Sequence, residues 1–458
     1  MRHSFALAAL ALLAPLATAH ADERVDVELT TATYTLTNGL QLVVVPDAAS
    51  PTVAVAVYYD VGSRNEEVGR SGFAHLFEHM MFQGSANVAK AGHFTHIARN
   101  GGSMNGTTST DRTNYFEILP SDRLELALWL ESDRMMSLAI TDENFENQRQ
   151  VVKEERRQRI DNQPYGPARL EFDALVYDAW EYEHSVIGSM DDLDAAELSD
   201  VQEFFDLHYA PNNAVLVIAG DVDPDHAFEL VTAWFGDIPA GEEPPAVSIV
   251  EEPRTEMRTA ELVDALAAQP AGMVAWLVPP APAPESDALE LLATILGGGE
   301  SSRLYDRLVR RDQVALSVSA WVSGRRGPDT LSVQYLTRGG DARPVLDALR
   351  EEVARIREQG VTDEELTTAR RMLLRDAVAS VEGNLGRALT VGRDTLYYSD
   401  PDRINDLAER LEGVTADKVQ EAAATWLTDE NLAALFVDTD ELAAERTLND
   451  QPAMEEAP

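Results

Sequence analysis

The chain has 458 residues with 79 acidic against 37 basic side chains, a formal charge of −42 at pH 7, so the basic footprint of a nucleic-acid-binding protein is missing. No cysteine occurs anywhere, which excludes disulfides and a lipid-modified cysteine. Roughly 435 residues remain behind a short leader, enough for two substantial cores.

The leader is residues 1–21. Arg2 and His3 precede the apolar run from Phe5 to Leu16, and Ala19-His20-Ala21 has the small-residue form of a cleavage site before Asp22. The run is shorter than a membrane span, so the sequence predicts export with no stable membrane insertion. The expected location is the periplasm, with full secretion as second choice.

Tyr34 to Val45 reads as the opening strand pattern, and Val53 to Tyr59 as a second strand. The next element carries the chemistry. In His75-Leu76-Phe77-Glu78-His79, positions three and four apart fall on one broad helical face, while Phe73, Ala74, Leu76, Phe77, Met80 and Met81 supply the apolar surroundings. Two imidazoles suit zinc, and an acid between them can take a proton from water and pass it to a leaving amine. A buried helix with merely hydrogen-bonded histidines is the bland alternative, disfavoured by Glu78 and by an acid-rich helix downstream.

Residues 100–108, rich in small and β-branched side chains, and Thr113 to Ile118 read as an edge strand and its neighbour joined by a turn. The segment Arg149-Gln150-Val151-Val152-Lys153-Glu154-Glu155 follows. His93 and His96 are three apart, yet no carboxylate pattern closes a second metal site around them. Ala214 to Gly220 closes the first half, followed by a helix from Pro224 to Trp234. Residues 236–254, with Pro239, Gly241, Pro244, Pro245 and Pro253, read as a linker. Beyond it, Gly272 to Val278 resembles the early strand of the first half, and a segment from Ser286 to Leu296 stands where the first half has its histidine helix. The second half contains no histidine and cannot duplicate a zinc centre. Gly297-Gly298-Gly299 lacks the Lys-Ser/Thr pair of a phosphate loop, which argues against nucleotide binding. Residues 441–458 show no apolar core pattern and are expected to fray.

The order His-x-x-Glu-His is the inverted zinc-protease motif, and with the Arg149 to Glu155 segment it resembles the pitrilysin-type (inverzincin) metallopeptidases, in the branch of mitochondrial processing peptidase and its bacterial two-chain relatives. The resemblance implies an α+β fold of two related α/β-sandwich domains, each a mostly antiparallel sheet packed with helices, together forming half of a clamshell. It implies a catalytic domain over residues 22–235 and a second homologous domain without metal ligands over residues 255–458. It selects Glu155 as the third ligand of one Zn2+ per chain beside His75 and His79, with Glu154 as a solvated neighbour and Glu78 as general base. It places Asn105 on the sheet edge that pairs with the backbone of an extended peptide substrate, a mode tolerant of sequence.

Three departures from the family pattern stand out. Gln148 occupies a position, seven before the ligand glutamate, where relatives often have another glutamate, which alters the charge around zinc; Glu146 and Glu131 are read as surface or local structural residues. Gly106 sits in the substrate-strand segment. Val309 and Leu316 occupy the places where single-chain relatives carry a substrate-gripping arginine and tyrosine. The chain therefore resembles the zinc-bearing member of a pair, with a second peptidase-like subunit supplying the missing residues; a homodimer is the other arrangement. The expected activity is zinc-dependent endopeptidase hydrolysis of extended or unfolded peptides. The alternatives are a noncatalytic peptide-binding or assembly subunit and an exported metal-storage or structural protein, in both of which Glu78 would be dispensable.

Overall fold

The computed structural model describes residues 27–449, so the leader over residues 1–21 lies outside the described residues. The first half builds a six-stranded sheet from β1 (Ala32–Thr35), β2 (Gln41–Pro46), β3 (Thr52–Tyr59), β4 (Ser103–Thr108), β5 (Thr113–Pro120) and β6 (Ala214–Gly220), in the order β1-β2-β6-β3-β5-β4. Only the β2–β6 pairing is parallel. The continuous strand expected from Tyr34 to Val45 is instead a hairpin broken at Asn38-Gly39. Gly39 has φ +90°, where a side chain is strained, and the Asn38 amide donates to the carbonyls of Phe235 and Ile238 at 2.8 and 2.9 Å.

The second half repeats the scheme with β7 (Arg258–Val263), β8 (Ala271–Val278), β9 (Ala315–Val322), β10 (Asp329–Thr337) and β11 (Leu432–Asp438), in the order β7-β11-β8-β10-β9. Its one parallel pairing, β7–β11, stands where β2–β6 stands in the first sheet. The chain is thus two α/β domains, each a mostly antiparallel sheet packed with helices. The terminal strands β4 and β9 are each paired along one side only.

Both central strands are buried along nearly their whole length, which requires cover on both faces. Val53, Val55, Val57 and Tyr59 point into the core shared with the first domain's own helices, and Ala54, Ala56 and Tyr58 point the other way. That other face is covered by the helix Asn384–Tyr398 of the second half, through Ala388 and Val391. Tyr58 donates its hydroxyl to the Leu389 carbonyl at 2.8 Å. The second sheet is treated reciprocally. Met273, Ala275 and Leu277 of β8 pack on Ala168, Phe172 and Val176 of α5 (Gly166–Val176), which belongs to the first half. Each domain completes the other's core, so neither sheet is fully covered by its own segment.

Residues 239–257 have no helix or strand. The expectation of a frayed tail is corrected as far as Asn449: Asp440–Asn449 is helical, and Arg446 ties it down by pairing with Asp438 and, at 2.7 Å, with Asp341. No helix among the described residues is long and apolar enough to cross a membrane.

Candidate metal centre and active site

The helix α1 (Phe73–Met80) buries Phe73, Ala74, Leu76, Phe77 and Met80 in the first core and leaves His75, Glu78 and His79 half-buried on its other side. Its amino-terminal amides are satisfied by one fully buried carboxylate. Glu66 accepts from the N–H groups of Gly72 at 2.9 Å and Ala74 at 2.8 Å, while its Oε2 lies 3.0 Å from His184 Nε2. A carboxylate there matches both the orphan donors and the helix dipole.

Two further helices, α2 (Gly92–Arg99) and α3 (Leu124–Ser137), lead to α4 (Asp142–Arg156), whose start is capped by the Thr141 hydroxyl accepting from the Asn144 N–H at 3.2 Å. α4 packs against α1 and brings Glu155, near its end, to the histidines. Glu155 Oε2 lies 3.1 Å from His79 Nε2 and 3.8 Å from His75 Nε2. The two rings stand nearly perpendicular with centroids 4.9 Å apart. All three donor atoms fall within 4.8 Å of one another, the only such metal-capable group among the described residues. Glu154 instead points to solvent and pairs with Arg157 at 3.2 Å.

Electrostatics favour a cation here. Burial, aided by the neighbouring His79, lowers the His75 pKa to about 4, so its lone pair is free at neutral pH. The hydrogen bond from His79, with His75 and Arg159 nearby, holds Glu155 below the usual carboxylate range. Glu78 is pushed up by burial, and the Thr108 hydroxyl, donating to its Oε2 at 2.6 Å, opposes that shift. Two imidazoles and a carboxylate converging on one point fit zinc with a position to spare.

Sequence reasoning missed Thr108 and Arg159. Thr108 was legible through strand alternation: Gly106 and Thr108 share a face of β4, and a Cβ on Gly106 would sit 3.1 Å from Glu78 Cγ. Arg159, 2.7 Å from Glu155 Oε1, lies beyond α4 in a π-helical turn (Arg157–Asp161) that no sequence signal marks. Asn105 is exposed on β4, opposite Phe116 in the register, and alternation turns its side chain to the face away from Glu78.

Gln148 is buried and donates to Asn147 at 2.8 Å. Glu131 is buried in an ion pair with Arg134, whose Nε lies 3.0 Å away, and Glu146 is exposed beside Arg149. Val309 is buried in a second π-helical turn (Tyr305–Arg311), while Leu316 is exposed on the edge strand β9. The neighbouring Arg310 and Arg311 are about half exposed and pair with Glu300 and Asp306. His93 is a fully buried core histidine lowered to about 3 by burial and Arg134, and His96 packs edge-on against Trp129.

Comparison with known proteins agrees with this geometry. Residues 42–188 match the family described as Insulinase (Peptidase family M16), and residues 195–373 match the Peptidase M16 inactive domain. A zinc protease of Helicobacter pylori, PqqE, is 31% identical, with 88% of this chain and 91% of that protein covered. A probable mitochondrial-processing peptidase subunit beta of Arabidopsis thaliana is 24% identical over 88% of this chain and 77% of its own. The crystal structure of a protease from Helicobacter pylori superposes with a TM-score of 0.85 at 27% identity, covering 90% of this chain and 99% of that one. With a relative of that identity spanning nearly the whole chain, and with the inverted motif folded beside its distant glutamate, this protein belongs to the pitrilysin-type M16 family of zinc metallopeptidases.

Proposed function

We propose that the chain is a zinc-dependent endopeptidase acting on extended or unfolded peptides. The observation that carries this reading is the convergence of His75, His79 and Glu155 with Glu78 beside them on the same helix. His75, His79 and Glu155 would hold one Zn2+. The chemistry that zinc supplies when bound is Lewis acidity, which acidifies water and polarises a scissile carbonyl. Glu78, raised by burial and steadied by Thr108, takes the proton from water and later delivers it to the departing amine. The free side of β4, with Asn105 at its middle, aligns an extended peptide by main-chain hydrogen bonds.

A buried Val309 and an aliphatic Leu316 offer no donor for substrate. This supports a second peptidase-like subunit that supplies gripping residues, with a homodimer as the other arrangement. Export to the periplasm, with secretion second, is supported by the signal-like residues 1–21. Cleavage of an internally quenched unstructured peptide tests the reading: Glu78→Gln should keep zinc and abolish cleavage, and a variant that cleaves normally would remove Glu78 from the mechanism.

A further inference from the structure

A cavity of about 940 Å³ lies between the two halves, walled by the β4–β5 hairpin on one side and by second-half helices on the other. None of His75, Glu78, His79 or Glu155 lines it. Thr107 does, and since its neighbour Thr108 reaches Glu78 from the opposite face of β4, the cavity lies behind the strand that borders the metal centre.

Most ionisable groups on its wall are already paired. Arg393 bonds Asp394 at 2.8 Å, Arg410 bonds Asp287 at 3.0 Å, and Arg325 bonds Asp173 at 2.9 Å. Three are not. Arg112 donates only to neutral oxygens, the Thr107 carbonyl at 2.8 Å, the Thr107 hydroxyl and Asn114 Oδ1 at 2.9 Å, and has no carboxylate within ion-pair reach among the described residues. Arg403 lies over the Tyr398 ring at 4.1 Å and, though its charge helps hold Asp394 ionised, likewise has no carboxylate within ion-pair reach among the described residues. Glu290, on the helix Ser286–Gly297, has neither an ion pair nor a side-chain hydrogen bond among the described residues. Burial, reinforced by Asp329 and Asp287 and opposed by Arg393, raises its acid to about 7, so it both donates and accepts near neutrality.

In a chain of charge −42, two half-buried guanidiniums in one cavity with no carboxylate within ion-pair distance among the described residues mark a place for a ligand carboxylate. Glu290 complements an ammonium or amide N–H on the same ligand. Tyr58, Tyr397 and Tyr398 supply flat surfaces along the wall. We propose that this inter-domain cavity is a second peptide site that holds a short peptide by its free carboxylate through Arg403 and Arg112 and by its amine or amide end through Glu290. The choice of a peptide over other carboxylates rests on the peptidase reading, since that reaction generates new free carboxylates. The site has no part in holding the metal, so it is testable by binding alone.

The test is titration calorimetry of the full chain with tri-alanine, tri-alanine amide and inorganic phosphate. Tri-alanine should bind one per chain, and the amide should bind roughly tenfold more weakly or worse, the cost of losing one charge-assisted contact. Arg403→Gln and Glu290→Gln should each weaken tri-alanine by a similar factor while keeping the wild-type circular dichroism spectrum and zinc content. Equal binding of acid and amide, or no loss in either variant, would overturn the proposal. Phosphate displacing tri-alanine at similar affinity would reduce the site to an anion pocket and overturn the peptide assignment. Loss of tri-alanine binding in His79→Gln but not in Arg403→Gln would move the ligand to the metal centre. Failure of the peptidase reading shows separately, as absence of zinc and of turnover.

Discussion

Replacing Thr108 by Val isolates one contact in the proposed catalytic apparatus, because the side chain keeps its shape and β-branching while losing the hydroxyl that donates to Glu78 at 2.6 Å. A hydrogen bond to a charged group is worth about 1.5–3 kcal/mol. Its loss disfavours the ionised form by that amount, so the Glu78 pKa rises and the ionised fraction on the acid side falls roughly 10–100-fold. The direction follows from the site: burial raises Glu78, and Thr108 is the first group opposing that rise. Glu78 must be ionised to accept a proton, so the acid limb of kcat/KM against pH should move upward. Activity should fall roughly 10–100-fold on the acid side and little on the alkaline plateau. The assay is turnover of an internally quenched peptide from pH 5 to 9, with zinc quantified at each pH to show that the metal stays bound. An acid limb that stays in place with zinc retained would refute the role given to Glu78 or to its contact with Thr108.

Other substitutions probe separate parts of the structure. Glu155→Gln should weaken zinc by more than the roughly 10–100-fold typical of an outer-shell partner, read by competition with a chelator, while Glu154→Gln should leave zinc affinity unchanged. Val391→Ala, in the helix of the second half that covers the first sheet, should cost about 2 kcal/mol in urea unfolding. Because each half completes the other's core, that loss should appear in the first domain's unfolding as well. His184 has its pKa raised by Glu66 and the Trp180 carbonyl against the opposing effect of burial. A raised folded pKa gives stability that is complete below the ordinary histidine value and is lost as pH rises through the folded value. The melting-temperature advantage of wild type over His184→Gln should therefore shrink from pH 6 towards alkaline pH; an advantage that grows would contradict the Glu66–His184 pairing.

The local chemistry of the site was legible because it is written at helical spacing. His75, Glu78 and His79 needed only a turn of helix to share a face, and the apolar residues around them fixed which side faced the core. The strand pairs also carried their own signals, including the Asn38-Gly39 turn, whose glycine marks the break that a run of strand-forming residues on either side obscured. The exchange of α5 and the helix Asn384–Tyr398 between the domains left no such mark. An amphipathic helix reports that one face is buried but not which sheet buries it, and these two cross to the other half's sheet. Arg159 was hidden for a related reason, since a π-helical turn changes the residue spacing at which side chains meet. The tail helix Asp440–Asn449 is anchored by Arg446 pairing with Asp341 and Asp438, a long-range ionic contact that a hydrophobic pattern does not show.

The most direct test of the zinc peptidase account is metal analysis and peptide cleavage on one sample of the purified chain, beside Glu78→Gln and His79→Gln. The account predicts one zinc per chain in wild type and Glu78→Gln, none in His79→Gln, and cleavage by wild type alone or with the proposed second subunit added. Zinc absent from wild type, or cleavage undiminished in Glu78→Gln, would contradict it.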